Sequence, residues 1–284
     1  MTNQRVRLAD AHAHLFRSGY LGRYGRPSSG GDDVNVYRSL TLEHHIDLSL
    51  VVGYEGDTRY RGNNAYVANL ARDHEWVAPL AYTPAGKPQA PGNPFLGVAV
   101  YLPSVADAVA FSNWPEHVIA ELFKRRSIVS INAVPETLAV AADAIRRLTR
   151  CHVLISHLGM PGRFQSMPTK NQIGSTLKPL LSLSNAGTVG VKLSGLYALT
   201  SPMHAFPHMA VRPLIDRIAD SFGTERLYWG SDFSPALDYV SFIQTAHAVS
   251  DLPWSDAQRA QVMGGNLRRV VGLARRAGRG HANR

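Results

Sequence analysis

The sequence predicts an α/β chain folded as a (β/α)8 TIM barrel, and three observations carry that expectation. Eight short, β-rich apolar runs recur along 284 residues with helical patterns between them, as in repeated βα units around a parallel sheet. Gly- and Pro-rich stretches follow those runs, whereas returns such as Thr149 to Cys151 are short, so the long loops crowd one end of the strands. No GxGxxG follows the first run, which removes the usual mark of a doubly wound open sheet.

The first strand, near residues 6 to 13, carries Asp10, His12 and His14 on alternate positions between alanines. Strict alternation points the three ionisable groups to one face and Ala9, Ala11 and Ala13 to the other. Burying such groups together is costly unless they are hydrogen-bonded or hold a metal, so a pocket or a metal site is expected there. Further strands are expected near 47 to 53, 76 to 82, 96 to 101, 127 to 132, 152 to 157, 189 to 194 and 226 to 231. Helices are expected after Pro115 (Val118, Ile119, Leu122, Phe123), from Pro135 to Thr149, and from Val211 to Gly223. The long loops follow the first, third, sixth and seventh strands, at Ser18 to Gly31, Pro84 to Pro94, Gly159 to Gly174 and Ser194 to Pro207. No repeat or linker divides residues 1–284, so one domain is expected, with a basic flexible tail from about 275.

The formal net charge of +9 is unevenly spread. Arg259, Arg268, Arg269, Arg275, Arg276, Arg279 and Arg284 all follow Asp256, the last acidic residue, which leaves the body nearly neutral. A small-molecule substrate is therefore expected, not nucleic acid. Cys151 is the only cysteine, so an intrachain disulfide and a thiolate metal cluster are both excluded. No leader-like apolar segment and no membrane-spanning run is visible, and a cytoplasmic location is expected.

Other chemistry-bearing groups fall at strand ends. His157 closes the sixth strand ahead of Leu158-Gly159-Met160-Pro161-Gly162, and Asp232 follows the eighth within Gly230-Ser231-Asp232-Phe233. A carboxylate there can ligate a metal, orient an imidazole, deprotonate water or cap a helix. In a closed barrel the first and eighth strands are neighbours, so His12, His14 and Asp232 should meet at one rim with His157 nearby. Lys192 is expected to point into the barrel mouth, and Tyr54, Glu55, Arg59, Arg61, Tyr101, Arg163 and Tyr197 lie near strand ends as candidate substrate contacts. Adjacent His44 and His45 diverge on a helix, and Pro207 between His204 and His208 spoils an i,i+4 metal pair.

DAHAHLF, ISHLGMPG, VGVKLSGLY and YWGSDFSP, in that order, together with the Gly264-Gly265-Asn266-Leu267-Arg268-Arg269 segment, resemble the motifs of the amidohydrolase superfamily, in its amidohydrolase-related branch. The resemblance covers Arg5 to Leu273 and implies a metal-dependent-hydrolase type barrel similar to sugar lactonases, 2-pyrone-4,6-dicarboxylate lactonase-like hydrolases and zinc-dependent aromatic acid decarboxylases. It moves Asp10 to a supporting role and implies His12, His14, Asp232 and His157 as the site. One departure is Asn132, where metal-dependent members commonly carry a histidine on the fifth strand. The fourth strand also lacks the bridging ligand of binuclear members, which leaves a single divalent metal, zinc by ligand preference, or a metal-free site.

The resemblance implies a lactonase-like hydrolase. Asp232 activates water, the histidines polarise a carbonyl and Lys192 holds a substrate carboxylate on a carboxylated or polyhydroxylated molecule. A metal-dependent decarboxylase of an aromatic or unsaturated acid is the alternative in the same framework. A non-catalytic binding barrel is the alternative of another class, and a homo-oligomer is compatible with all three.

Overall fold

Eight parallel strands alternate with helices in the computed structural model, which describes residues 7–282. The strands are β1 (Leu8–Ala13), β2 (Ile46–Val52), β3 (Val77–Tyr82), β4 (Gly97–Leu102), β5 (Ile128–Ala133), β6 (His152–Ile155), β7 (Val189–Leu193) and β8 (Leu227–Trp229). They pair in sequence order, β1 to β8. The ring closes just beyond β8: Ala13 bridges Phe233, and the Asp232 amide donates to the His12 carbonyl at 2.8 Å. The (β/α)8 TIM barrel is thus the observed fold, with every expected strand present to within a few residues. The strand at the sixth position ends at Ile155, so His157 sits in the turn that follows it.

The helices are α1 (Asp33–Glu43), α2 (Asn63–Asp73), α3 (Val105–Ser112), α4 (Glu116–Lys124), α5 (Pro135–Arg147), α6 (Lys170–Leu181), α7 (Arg212–Phe222), α8 (Phe242–Ser250), α9 (Asp256–Ala260) and α10 (Asn266–Ala282). Those of the outer layer cover an outward strand face of Val98, Val100, Val129, Ile131, Val153, Ile155, Val189 and Val191. Pro135 at N1 of α5 and Pro115 as the N-cap of α4 sit where they cost no helical hydrogen bond. Inside the barrel, Leu48, Leu50, Val52, Leu80, Ile128 and Leu154 form a second core.

The floor of that core is α10. Leu267, Val270, Val271 and Ala274 recur at i, i+3, i+4 and i+7 and are buried against the barrel interior. Burying each aliphatic side chain contributes roughly 1.5–3 kcal/mol. The segment from about 275, expected to be a flexible tail, is instead the second half of this helix. Three arginines of the helix are tied to backbone: Arg268 donates to the Arg7 and Leu8 carbonyls, Arg269 to Glu225 and Arg275 to Glu75 and Val77. Asn266 donates to the Thr224 and Leu227 carbonyls, which fixes the helix start beneath β8. Val6 and Arg284 lie outside the described residues. Among the described residues no helix is long and apolar enough to cross a membrane.

Strict alternation fails in β1. The register against β2 shifts on both sides of Asp10, so Ala9 and Ala11 face the barrel interior while Ala13 joins the outer core. Asp10 therefore faces outward, where Tyr37 of α1 and Ser49 of β2 meet, and only the histidines turn inward. A bulge needs no special residue here, so alternating alanines gave no sign of it.

Candidate active site

Asp10 builds the platform on which the site rests. Its Oδ1 accepts the amides of His12 and Ser231, both at 2.9 Å, and its Oδ2 accepts the hydroxyls of Tyr37 at 2.7 Å and of Ser231. One fully buried carboxylate thus ties the end of β1 to the segment after β8. Burial pushes its pKa up and these four donors oppose the rise.

The two histidines of the first strand face each other, Nε2 to Nε2, at 3.2 Å. His14 Nδ1 lies 2.8 Å from the Val52 carbonyl, an acceptor only, so Nδ1 carries the proton and Nε2 offers a lone pair. His12 Nδ1 lies 3.0 Å from Lys192 Nζ, which also donates to Ser130 Oγ at 2.7 Å. When Lys192 is protonated, His12 accepts from it and donates through Nε2 to His14. A continuous wire of hydrogen bonds then runs from Lys192 to the Val52 carbonyl.

Asp232 completes the group. Its Oδ1 is 3.6 Å from His12 Nε2 and its Oδ2 accepts from the Tyr197 hydroxyl at 2.8 Å. His157 packs edge-on against His12 with ring centroids 4.7 Å apart, and its Nδ1 is 3.0 Å from Ser194 Oγ. Asp232 and His157 both hold φ near the left-handed region, at 57° and 53°. Such residues cost on the order of 1 kcal/mol and persist only where surrounding contacts impose them.

Two glycines make the room. A Cβ on Gly230 would stand 2.7 Å from His12 Cβ, and one on Gly195 would stand 2.5 Å from His157 Nδ1. Larger residues there would displace the imidazoles.

Burial governs the charges. It holds His12 well below its ordinary pKa, with Lys192 adding to the effect, and brings His14 and His157 down to about 4. Burial also lowers Lys192 to about 7, against the pull of Asp10 and Asp232. The same burial lifts Asp232 to about 6, while His14, Tyr197 and Lys192 hold it back. At neutral pH the site is therefore a largely ionised carboxylate among neutral imidazoles, with Lys192 beneath them near the midpoint between ammonium and amine.

His12, His14 and Asp232 are the one group of three or more potential metal ligands among the described residues, their ligand atoms all within 4.8 Å of one another. Two imidazoles and a carboxylate with an open side fit a single divalent ion, and His14 already has the Nδ1–H to carbonyl bond of a ligating imidazole. His12 fits only with its proton on Nδ1, which requires Lys192 to accept it. His157 stands outside the three, and Asn132 of β5 contributes no imidazole.

The expected substrate contacts divide. Tyr197 reaches Asp232, and Tyr101 packs on Tyr54 at 4.9 Å between ring centroids. Lys192 does not open into the mouth: it is fully buried beneath His12, because β7 points it across the barrel toward Ser130. Arg59 is turned back by Asp57, with Nε 3.0 Å from both carboxylate oxygens, and exposed Arg163 bonds the Ala198 carbonyl at 3.3 Å. Glu55 caps Asn64 at the start of α2. His208 Nδ1 lies 2.9 Å from Thr200 Oγ1.

Sequence reading missed the aromatic wall. Phe16 stacks on His14 at 5.9 Å and packs at a tilt on Tyr60 at 4.3 Å, and Tyr60 contacts Tyr20 and Tyr54. It also missed Ser130, although two residues before Asn132 on one strand is the same face.

The Amidohydro_2 family model, described as amidohydrolase, matches residues 87–273. An L-fucono-1,5-lactonase of Burkholderia ambifaria is 28% identical over 169 residues, 55% of this chain and 52% of the relative. The chain thus spans about half the length of that curated relative. A Burkholderia multivorans amidohydrolase with bound zinc superposes with a TM-score of 0.77 at 19% identity, over 94% of this chain and 99% of the other. A probable 2-pyrone-4,6-dicarboxylic acid hydrolase of Acinetobacter baumannii with bound citric acid superposes with a TM-score of 0.71 at 17% identity, over 94% and 99%.

Proposed function

The chain belongs to the amidohydrolase family whose model spans residues 87–273, and from that premise we propose that it opens a neutral, polyhydroxylated lactone by general-base hydrolysis. The observation that carries the reading is Asp232, a buried carboxylate lifted to about 6, held by Tyr197 and set among neutral imidazoles. A base with a pKa just below neutrality combines ionisation with proton affinity.

Asp232 takes a proton from water, and the hydroxide adds to the lactone carbonyl. The tetrahedral oxyanion takes the Nε2–H of His12, turned to it from His14 Nε2, with the Lys192 cation behind His12 favouring the negative charge. The carbonyl–oxygen ring bond then breaks, and protonated Asp232 returns its proton to the departing alkoxide, giving a hydroxy acid. A divalent metal, zinc by ligand type, would be held by His12, His14 and Asp232 and would polarise the carbonyl and acidify water.

The rim supports a neutral substrate. Tyr20, Tyr54, Tyr60, Tyr82 and Tyr101 offer ring faces and hydroxyls, a combination that suits the C–H faces and hydroxyl groups of a sugar ring. Lys192, expected to hold a substrate carboxylate, is engaged inside the barrel, and Arg59 is engaged with Asp57. The relative named L-fucono-1,5-lactonase agrees with this choice. The test is a panel of aldono-1,5-lactones beside 2-pyrone-4,6-dicarboxylate. Turnover of the sugar lactones at far higher kcat/KM is expected, and preference for the dicarboxylate would overturn the reading.

A further inference from the structure

The end of the barrel opposite the active site carries an uncompensated cluster of cations. A cavity of about 570 Å³ lies between the turn from α4 into β5 and the turn from α5 into β6, lined by Lys124, Arg126, Thr149, Arg150, His152 and Thr188 among others. No carboxylate lines it. Lys124 is paired with Glu121, but neither Arg126 nor Arg150 has an ion pair or a side-chain hydrogen bond among the described residues. Arg269 adds a further positive field at His152 from α10.

Arg126 follows the C-cap of α4, with its amide donating to the Phe123 carbonyl at 3.1 Å and the Ser127 amide to the Leu122 carbonyl at 3.0 Å. Arg126 has φ of 48°, in the left-handed region where glycine or asparagine is at ease and a long side chain is not. That is the left-handed position on which helices commonly end, and it leaves the Arg126 side chain exposed beside the cavity. Two guanidiniums, two threonine hydroxyls and an imidazole around one cavity supply the donors that a tetrahedral oxyanion accepts, and Arg forks match phosphate oxygens in pairs.

We propose that this cavity is a binding site for a phosphate dianion, held chiefly by Arg126 and Arg150. It lies apart from the lactone chemistry and does not depend on that reading. The phosphate comes either free or as the phosphoryl group of a small metabolite.

Thermal unfolding of the full chain tests the site, with inorganic phosphate, glycerol phosphate and sodium chloride at matched ionic strength. A saturable rise in Tm of roughly 2–4 °C with a phosphate, absent with chloride, is expected. Stabilisation by glycerol phosphate at lower concentration assigns the site to phosphorylated metabolites, and equal or better stabilisation by inorganic phosphate assigns it to the free ion. Arg126→Gly relieves the left-handed strain, so it should fold at least as well as the parent while losing the phosphate response; Arg150→Ala should lose it too. The proposal is overturned if neither phosphate acts, if chloride acts equally, or if both variants keep the full response.

Discussion

Replacing Tyr197 with phenylalanine removes the hydroxyl 2.8 Å from Asp232 Oδ2 and leaves the ring, stacked on Tyr239 at 5.1 Å, in place. A hydrogen bond to a charged group is worth about 1.5–3 kcal/mol. It favours the ionised carboxylate, so its loss raises the Asp232 pKa, and at about 1.4 kcal/mol per unit the rise is roughly 1–2 units. The base works ionised, so activity falls as pH drops through its pKa, about 6 in the parent. The acid limb of the kcat/KM profile should therefore move up to roughly pH 7–8 in Tyr197→Phe, with the rate at pH 7 reduced about two- to tenfold. Above the new limb the variant should approach the parent rate at the same pH, since loss of the Lys192 cation, lowered to about 7, bends both profiles down alike. Initial rates of acid release from an aldono-1,5-lactone, corrected for spontaneous hydrolysis, measure this. A limb unmoved from 6 beside a lowered plateau would show that Asp232 is not the titrating base.

Three further outcomes follow from the site. Gly230→Ala places a methyl 2.7 Å from His12 Cβ, so activity should collapse while overpacking costs about 1–3 kcal/mol in denaturant unfolding; wild-type kcat would contradict the crowding. Lys192→Met keeps the length but removes a buried cation, so stability should hold or rise while kcat falls at least about tenfold; a large loss of stability would show that the cation holds the barrel together. Val271→Asp puts a charge into the barrel floor and should cost more than about 3 kcal/mol, read as loss of the cooperative unfolding transition at ambient temperature; a wild-type midpoint would refute the packing of α10.

The sequence shows the barrel because strand and helix periodicities are local and long loops follow strands. His157 and Asp232 were legible for the same reason, since each follows a short apolar run that must point to the ligand-bearing end. Asp10 illustrates the limit. Its outward direction depends on a register shift against β2 that alternating alanines do not encode. The buried stripe of α10 was written as Leu267, Val270, Val271 and Ala274, but seven arginines drew the reading toward a solvated tail. Arg59 and Arg163 could not be placed because their directions are set by hydrogen bonds to Asp57 and Ala198 within loops. The aromatic wall joins Phe16, Tyr20, Tyr54, Tyr60 and Tyr101 from separate loops and strands, a tertiary meeting with no sequence period.

Asp232 is the base on which the proposed lactone opening rests. Asp232→Asn is close to isosteric and keeps the backbone bond from its amide to the His12 carbonyl. Steady-state kinetics of this variant on the best aldono-1,5-lactone should show kcat reduced by at least about a thousandfold, with folding by circular dichroism and product-acid binding preserved. A folded variant that turns over at the wild-type rate would contradict the account.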